Sequence, residues 1–279
     1  MSLVPTADLH LHTIFSDGTE TPERVVELAS QAGLSTIAIT DHDDVESMPR
    51  AMAAAAARGL EMLPGIEMSS CSRGIEVHLL GFLFDPEHPV LTQHLTEQKA
   101  RRVERVHEMV RRLQGVGVKI EAEEVFRVAG EGTVGRPHVA RVLRTHGYVS
   151  TLAEAFARYI GNDNPGFVPG STLLPAQVMG VIRAAGGIPV LAHPIYVKDD
   201  ALIDELVQEG LLGLEVYHSC HPPETVRHYA QIADRLKLLK TGGSDYHGAD
   251  VKEGLPVGSV KIPYALVEAL KQWKAASVP

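Results

Sequence analysis

Cysteine, aromatic residues and long apolar runs are scarce in this chain. Its 279 residues include two cysteines, Cys71 and Cys220, in no metal-binding or redox spacing. That argues against a disulfide framework and fits reduced thiols in a cytoplasmic protein. No apolar run approaches membrane-spanning length, and the N-terminus has no basic segment followed by an apolar one. Neither membrane insertion nor secretion is therefore expected. Aromatic residues make up 5% of the chain, which leaves few side chains to stack on a nucleobase. Tyr148, Tyr159 and Phe167 could do so, although core packing explains each of them better. Positive charge is in deficit too: the net charge is −9, opposite to the balance of a general nucleic-acid binder.

What is present is a soluble-enzyme composition, with 44% hydrophobic residues, and a set of histidines and carboxylates beside apolar runs. Asp8-Leu9-His10-Leu11-His12 and Ser244-Asp245-Tyr246-His247 carry ligand-type side chains at alternate positions. Residues two apart in an extended chain point the same way, so His10 and His12 can reach one site, as can Asp245 and His247. Between these segments, Thr36 to Thr40 leads into Asp41-His42-Asp43, Met62 to Ile66 into Glu67, and Ile188 to Ala192 into His193, while His78 lies inside Val77 to Phe82. Ionisable groups in such places usually face a cleft, another charge or a metal, because burying them unpaired is costly. For any one histidine, a hydrogen-bonded structural role suffices. For His10, His12, His42, His78, His193 and His247 together with Asp17, Glu67 and Asp245, a metal centre is the better account.

Taken in order, these motifs resemble those of the PHP (polymerase and histidinol phosphatase) superfamily. They are Asp-Leu-His-Leu-His, Asp17 in Phe-Ser-Asp-Gly-Thr, Thr40-Asp41-His42-Asp43, Pro64-Gly65-Ile66-Glu67, Ala192-His193-Pro194 and Gly243-Ser244-Asp245-Tyr246-His247. The match runs from Ala7 to about Gly248. Gly135-Arg136-Pro137-His138, Arg158-Tyr159-Ile160-Gly161 and Phe167-Val168-Pro169 are similar to the inserted domain of the bacterial nucleotide phosphoesterases, whereas Asn162-Asp163-Asn164 departs from the basic, glycine-containing turn of that group. The resemblance implies an irregular seven-stranded α/β barrel and three divalent ions per chain. His10, His12, Glu67 and Asp245 would hold one, Asp17, His42 and His247 a second, and Glu67, His78 and His193 a third, with Glu67 bridging. Mixed imidazole and carboxylate sets suit Mn²⁺, Zn²⁺ or Fe²⁺ better than Mg²⁺, and manganese is preferred. Asp41 and Asp43 are expected to orient imidazoles from behind. Three such ions with three carboxylates leave a local charge of roughly +3, so an acidic chain can still attract phosphate.

The periodicity reads as an α/β barrel. Strand candidates at Ala7 to Leu11, Thr36 to Thr40, Met62 to Ile66, Val77 to Phe82, Ile188 to Ala192, Leu211 to Val216 and Leu238 to Thr241 are interspersed with helical stretches, which indicates a parallel sheet with ligands at its C-terminal strand ends. From Leu91 to about Ser171 the β pattern stops. Helices are expected near Thr92 to Gln114, Ala122 to Val128, Pro137 to His146 and Leu152 to Ile160. The division is then a discontinuous barrel, residues 1–90 and 172–279, with a helical insert, 91–171, that covers the site and grips substrate. Charges from Lys99 to Arg112 read mostly as a solvated helix face. Gly130 to Gly135 fits G-x-G-x-x-G, but a helical pattern precedes it, so a dinucleotide site is rejected. Arg136 and Pro137 instead open a helix whose N-terminus favours an anion. Arg136 and His138 are therefore candidates for a substrate phosphate remote from the metals, against the blander roles of salt bridge and helix-surface imidazole.

Adjacent divalent ions narrow the reaction to hydrolysis, with water attacking phosphorus in line and no covalent enzyme intermediate. The expected reaction removes the 3′-phosphate of a nucleoside 3′,5′-bisphosphate such as pAp. Asp17, His218 and His247 are the catalytic candidates. His218 would contact the scissile phosphate or protonate the leaving oxygen, a structural role being an equal alternative. Three other readings stay open: a 5′→3′ exoribonuclease on short 5′-phosphorylated RNA, a histidinol-phosphate-type phosphatase, and an inactive metal-binding module. No membrane and no obligate protein partner is expected.

Overall fold

The computed structural model describes residues 5–249 and 255–277. Strands β1 (Thr6–Leu11), β2 (Thr36–Ile39) and β3 (Glu61–Ser72) run parallel and are linked by helices α1 (Pro22–Gln31) and α2 (Met48–Ala56). Thr21 caps α1 by accepting from the Arg24 amide, and Pro22 takes the first helical position, where a missing N–H is harmless.

The next strand breaks the parallel pattern. β4 (Ile75–Phe82) returns antiparallel to β3 through Arg73 and Gly74, whose φ angles are 53° and 77°. A two-residue loop is too short for a crossover, and two left-handed residues match the twist of a tight hairpin. The parallel sheet expected from periodicity is thus corrected to a mixed one. β3 is also 12 residues long, so Glu67 lies inside it rather than at its close. Regular pairing with β2 ends at Pro64, and β3 continues along β4.

The helical segment follows: α3 (Pro89–Gly115), α4 (Ala122–Ala129), α5 (Arg136–Thr145) and α6 (Leu152–Ala155), the last running into a π-helical turn over Phe156–Ile160. The chain then returns to the sheet through α7 (Pro175–Ala184), β5 (Ile188–Leu191), α8 (Asp200–Glu209), β6 (Gly213–His218), α9 (Pro223–Leu236), β7 (Leu239–Gly243), β8 (Ile262–Pro263) and α10 (Tyr264–Ser277). Neither α7 nor β8 is evident from the periodicity. α7 is only 10 residues long and carries Gly180 on its exposed side, and β8 is a two-residue edge strand ending in proline.

The strands form one sheet in the order β7-β6-β5-β4-β3-β2-β1-β8, nearly closed into a barrel. Backbone bonds from His12 N to Tyr246 O and from Asp245 N to His10 O, both 2.9 Å, join the end of β1 to the segment after β7. Asp8, fully buried, fastens the same seam by accepting from Ser244 N (2.9 Å), Ser244 Oγ (2.6 Å) and Gly258 N (2.9 Å). Ligand-type residues at both ends of the sequence are thereby brought side by side.

Leu9, Leu63, Leu80, Phe82 and Val190 pack together between the strands. α1 and α2 cover β1 and β2, and α7, α8 and α9 cover the far side. The helical segment has a cluster of its own, including Val106, Met109, Leu113, Val125, Val139 and Leu143. Leu91 and Leu95 pack with the barrel while Val106 onward pack in the insert, so α3 belongs to both bodies. No described helix is long and apolar enough to cross a membrane. Leu113→Ala deletes a fully buried side chain of the insert cluster and should lower unfolding stability by about 2–5 kcal/mol in a urea titration. A change below about 0.5 kcal/mol, the surface-substitution range, would contradict a packed core there.

Candidate metal centre

Glu67 is where the ligand-type residues meet. Ring nitrogens of five histidines lie within 3.4 Å of its carboxylate: His10 (3.0 Å), His12 (3.1 Å) and His42 (3.4 Å) at Oε2, and His78 (2.9 Å) and His193 (2.8 Å) at Oε1. Asp245 Oδ1 stands 3.4 Å from His10 Nε2 and 3.2 Å from His12 Nε2. On the other side of His12, Asp17 Oδ1 is 3.1 Å from His247 Nε2 and Asp17 Oδ2 is 3.7 Å from His42 Nε2. Each expected ligand residue therefore reaches one cluster. Its atoms form overlapping sets able to hold a cation: His10, His12, Glu67 and Asp245; His12, Asp17, His42 and His247; and His42, Glu67 and His78. His193 joins His78 on the outer oxygen of Glu67.

The backbone is bent to achieve this. β1 slips register against β2 between Asp8 and Leu11, an irregularity that re-aims side chains at a barrel rim. Asp43, His193 and Asp245 have φ angles of 49°, 28° and 54°, a conformation costing non-glycine residues about 1–3 kcal/mol each. Hydrogen bonds hold all three: Asp43 N to Glu67 O (2.8 Å), His193 N to Glu215 Oε2 (2.7 Å) and Asp245 N to His10 O (2.9 Å).

Three of the imidazoles have one nitrogen tied back, which sets the tautomer and leaves the other facing the cluster. His10 Nδ1 bonds Glu215 Oε1 at 2.9 Å, and His247 Nδ1 donates to the Asp245 carbonyl at 2.8 Å. His12 Nδ1 lies 3.4 Å from Ser16 Oγ, which donates to Asp41 Oδ1 at 2.7 Å. Glu215 is the residue that sequence reasoning overlooked; its signal was a carboxylate alone among apolar residues of β6. Of the two expected imidazole-orienting roles, that of Asp41 runs through Ser16, and that of Asp43 needs correction. Asp41 acts on His12 through Ser16 and otherwise holds Thr13 N (2.7 Å) and Thr13 Oγ (2.8 Å). Asp43 pairs with Arg102 (2.6 Å) and accepts from Ser69 N (3.1 Å).

The residues fit divalent cations on two counts. His12 Nε2, Asp17 Oδ1 and His42 Nδ1 are buried and, although each lies 3.1–3.4 Å from Glu67 or His247, none is in hydrogen-bonding geometry, which costs about 1–3 kcal/mol per group unless something satisfies it. The electrostatics point the same way. Burial opposes charge on Glu67 and Asp17, but the surrounding imidazoles hold both carboxyls well below their ordinary range. Burial also opposes a proton on His10 and His78. Glu215 and Glu67 nevertheless raise His10 to about 10, and Glu67 with Glu76 raises His78 to about 10. Burial prevails at His12, lowered to about 4, at His193, lowered to about 3, and at His42, far below its usual value. These last rings are neutral lone-pair donors, while protons on His10 and His78 balance charge that a cation would balance better.

Above the cluster lies a cavity of about 830 Å³. Asp17, His42, Glu67, His78, His193 and His247 form its floor, and Arg102, Arg105 and Arg136 of the helical segment contribute to its wall. Arg136 Nη2 pairs with Glu76 Oε2 at 2.5 Å. Arg105 Nε donates to Val168 O at 3.0 Å, and its Nη2 is buried without a partner. Two expected substrate contacts lie elsewhere. His138 is 1% exposed, is absent from the cavity wall, and accepts from Gly135 N at 3.0 Å through Nδ1. Burial lowers it to about 4. His218 sits behind Asp245, with Nε2 3.2 Å from Asp245 Oδ2 and Nδ1 accepting from Cys220 N at 3.1 Å. It is placed to orient Asp245 rather than to touch a phosphate in the cavity.

Comparison with known proteins agrees with this geometry. The PHP domain profile matches residues 8–131. The chain is 33% identical over 247 residues to a 5′-3′ exoribonuclease of Salmonella typhimurium, covering 86% of this chain and 84% of the relative. It is 33% identical over 246 residues to a 3′,5′-nucleoside bisphosphate phosphatase of Chromobacterium violaceum, covering 86% of each. A crystal structure assigned as a metal-dependent phosphoesterase of Bifidobacterium adolescentis matches with a TM-score of 0.87 at 33% identity, over 95% of this chain and 94% of that one. These matches, with a nearly closed barrel and a buried imidazole and carboxylate cluster that fits them, place the chain in the class of metal-dependent phosphoesterases. Within that class, the chain belongs to the PHP family.

Because coordination requires the cluster-facing nitrogens of His10 and His78 to lose their protons, loading should release protons near neutral pH and strengthen as pH rises. Calorimetric titration of Mn²⁺ into chelator-treated protein, in buffers of different ionisation enthalpy, measures this. Absence of proton release, or affinity that weakens with rising pH, would contradict the assignment.

Proposed function

We propose that the chain hydrolyses the 3′-phosphate of nucleoside 3′,5′-bisphosphates such as pAp, yielding the nucleoside 5′-monophosphate and phosphate. The observation that carries this reading is the two-part lining of one cavity: the Glu67 cluster below, and Arg136 and Arg105 in the wall of the helical segment. A small substrate with two separated phosphates matches that division. The bisphosphate phosphatase relative from C. violaceum supports it.

In this reading three divalent ions, preferably manganese, are held by His10, His12, Glu67 and Asp245, by Asp17, His42 and His247 with His12, and by Glu67, His78 and His193. Such ions supply Lewis acidity that makes water nucleophilic near neutral pH and neutralises phosphoryl charge. The chain's own residues do the rest. Asp17, His247 and Glu67 present the reactive face at the cavity floor, while His218 and Glu215 hold Asp245 and His10 in their working orientations. Arg136 grips the remote phosphate in a bidentate fork, exchanging its present partner Glu76 for the substrate, and Arg105 offers its unpartnered Nη2. Phe156, on the cavity wall with Arg136 5.7 Å above its ring, gives a base one aromatic face.

The exoribonuclease relative, of equal identity, favours a second reading in which the same centre cleaves a 3′-phosphodiester. Purified protein supplied with Mn²⁺ and given pAp, AMP or a short 5′-phosphorylated RNA separates the two. Phosphate release from pAp, with AMP accumulating, is the expected result. Mononucleotide release from RNA with pAp untouched would establish the exonuclease instead. Arg136→Ala should lower kcat/KM for pAp roughly 10- to 100-fold, the value of a charge-assisted hydrogen bond, and leave a generic aryl phosphate nearly unchanged. Equal losses on both substrates would remove the remote-phosphate role.

A further inference from the structure

The helical segment does more than roof the cavity: it grips the backbone that carries Asp17. Asp17 lies on the loop between β1 and α1, and the carbonyls of Phe15 and Asp17 on that loop each accept from a different donor of the insert. Thr133 N donates to Phe15 O at 2.9 Å and the Arg141 guanidinium donates to Asp17 O, while the buried His138 imidazole faces the Ser16 backbone between them. The Thr133 hydroxyl donates at 2.6 Å to the carbonyl of His42. His138 is fixed for this task, because its Nδ1 accepts from Gly135 N and its hydrogen is therefore on Nε2. Gly132 allows the approach, since a Cβ there would collide with the backbone of Ile14 and Phe15. The Gly-Thr-Val-Gly-Arg-Pro-His run, unsuited to a dinucleotide, thus acquires a use.

We infer that Thr133, His138 and Arg141 are positioning residues of the metal centre, holding Asp17 and His42 and through them one cation of the set His12, Asp17, His42 and His247. The inference rests on the ligand sets proposed above. Phe15, Ser16 and Asp17 are all buried, so water cannot readily replace the lost donors. From the barrel side, Asp41 holds Thr13 and Ser16 but leaves these carbonyls to the insert. The set His10, His12, Glu67 and Asp245 shares only His12 with the clamped one, so damage to the clamp is selective. By reciprocity, a cation at Asp17 tightens the docking of residues 132–141 on the barrel.

The test is metal content of the full chain, measured by mass spectrometry after Mn²⁺ loading and gel filtration, with affinity from chelator competition. His138→Leu and Arg141→Met should lose the Asp17 cation selectively, or hold it about 10- to 100-fold more weakly, as when a partner behind a ligand is removed. His138→Gln and Arg141→Lys, which keep a donor, should restore it. Variants loaded like the wild type would overturn the clamp alone, whereas a wild type that takes up no Mn²⁺ would overturn the ligand sets as well. Should the Leu or Met variants fail to fold, hydrogen exchange on the wild type decides. Mn²⁺ should raise protection of the Thr133 amide together with that of residues 13–19, and protection confined to the barrel would refute the coupling.

Discussion

A carboxylate with five imidazoles around it is the constraint on which this molecule is built. Glu67 is 1% exposed and carries its charge in a place where an isolated ion would be expensive. Four strands or strand ends send five histidines to it, β1 contributing both His10 and His12, and the barrel seam between β1 and the segment after β7 closes where Asp245 must stand beside them. The hairpin of β3 and β4, the positive φ angles at Asp43, His193 and Asp245, and the buried Glu215 behind His10 all serve that convergence. A fold needing only stability would have little reason to gather so many ionisable groups; replacing them with packed apolar residues is often neutral or better.

Much of this was legible in the sequence because ligand positions obey local rules. Alternate spacing in His10 and His12, or in Asp245 and His247, survives the bends of the backbone, and apolar runs mark where strands end. The helices were readable from caps such as Thr21 with Pro22 and from the charged, β-poor stretch after Leu91. What periodicity could not convey was pairing direction. β4 looks like any other apolar strand, and only the shortness of Arg73-Gly74 forces it to run antiparallel. Nor could it show depth. His138 and His218 have the residue type of substrate contacts, yet one is buried in the first turn of α5 and the other sits behind Asp245. Glu215 failed to stand out because a single acid in an apolar strand has many ordinary explanations until its partner, 205 positions away, is known.

The insert links recognition to chemistry. Arg102 reaches Asp43, Thr133 reaches His42, and Arg141 reaches Asp17, so the helical segment that brings Arg136 and Arg105 to the cavity wall is bonded to the segments that carry the Glu67 cluster. A chain with net charge −9 can then bind a phosphorylated substrate, because the cavity wall is locally basic and cations at the floor would reverse the sign of the carboxylates. Glu76 and Asn162 stand on that wall with Arg136 and Phe156.

The central claim is that Glu67 and its neighbours exist to hold divalent cations. Anomalous diffraction at the manganese edge from crystals of Mn²⁺-loaded protein tests it most directly. The account predicts peaks bounded by Glu67, His10, His12 and Asp245 and by Asp17, His42 and His247. Manganese found only at other places, with these side chains keeping their mutual hydrogen bonds, would contradict it.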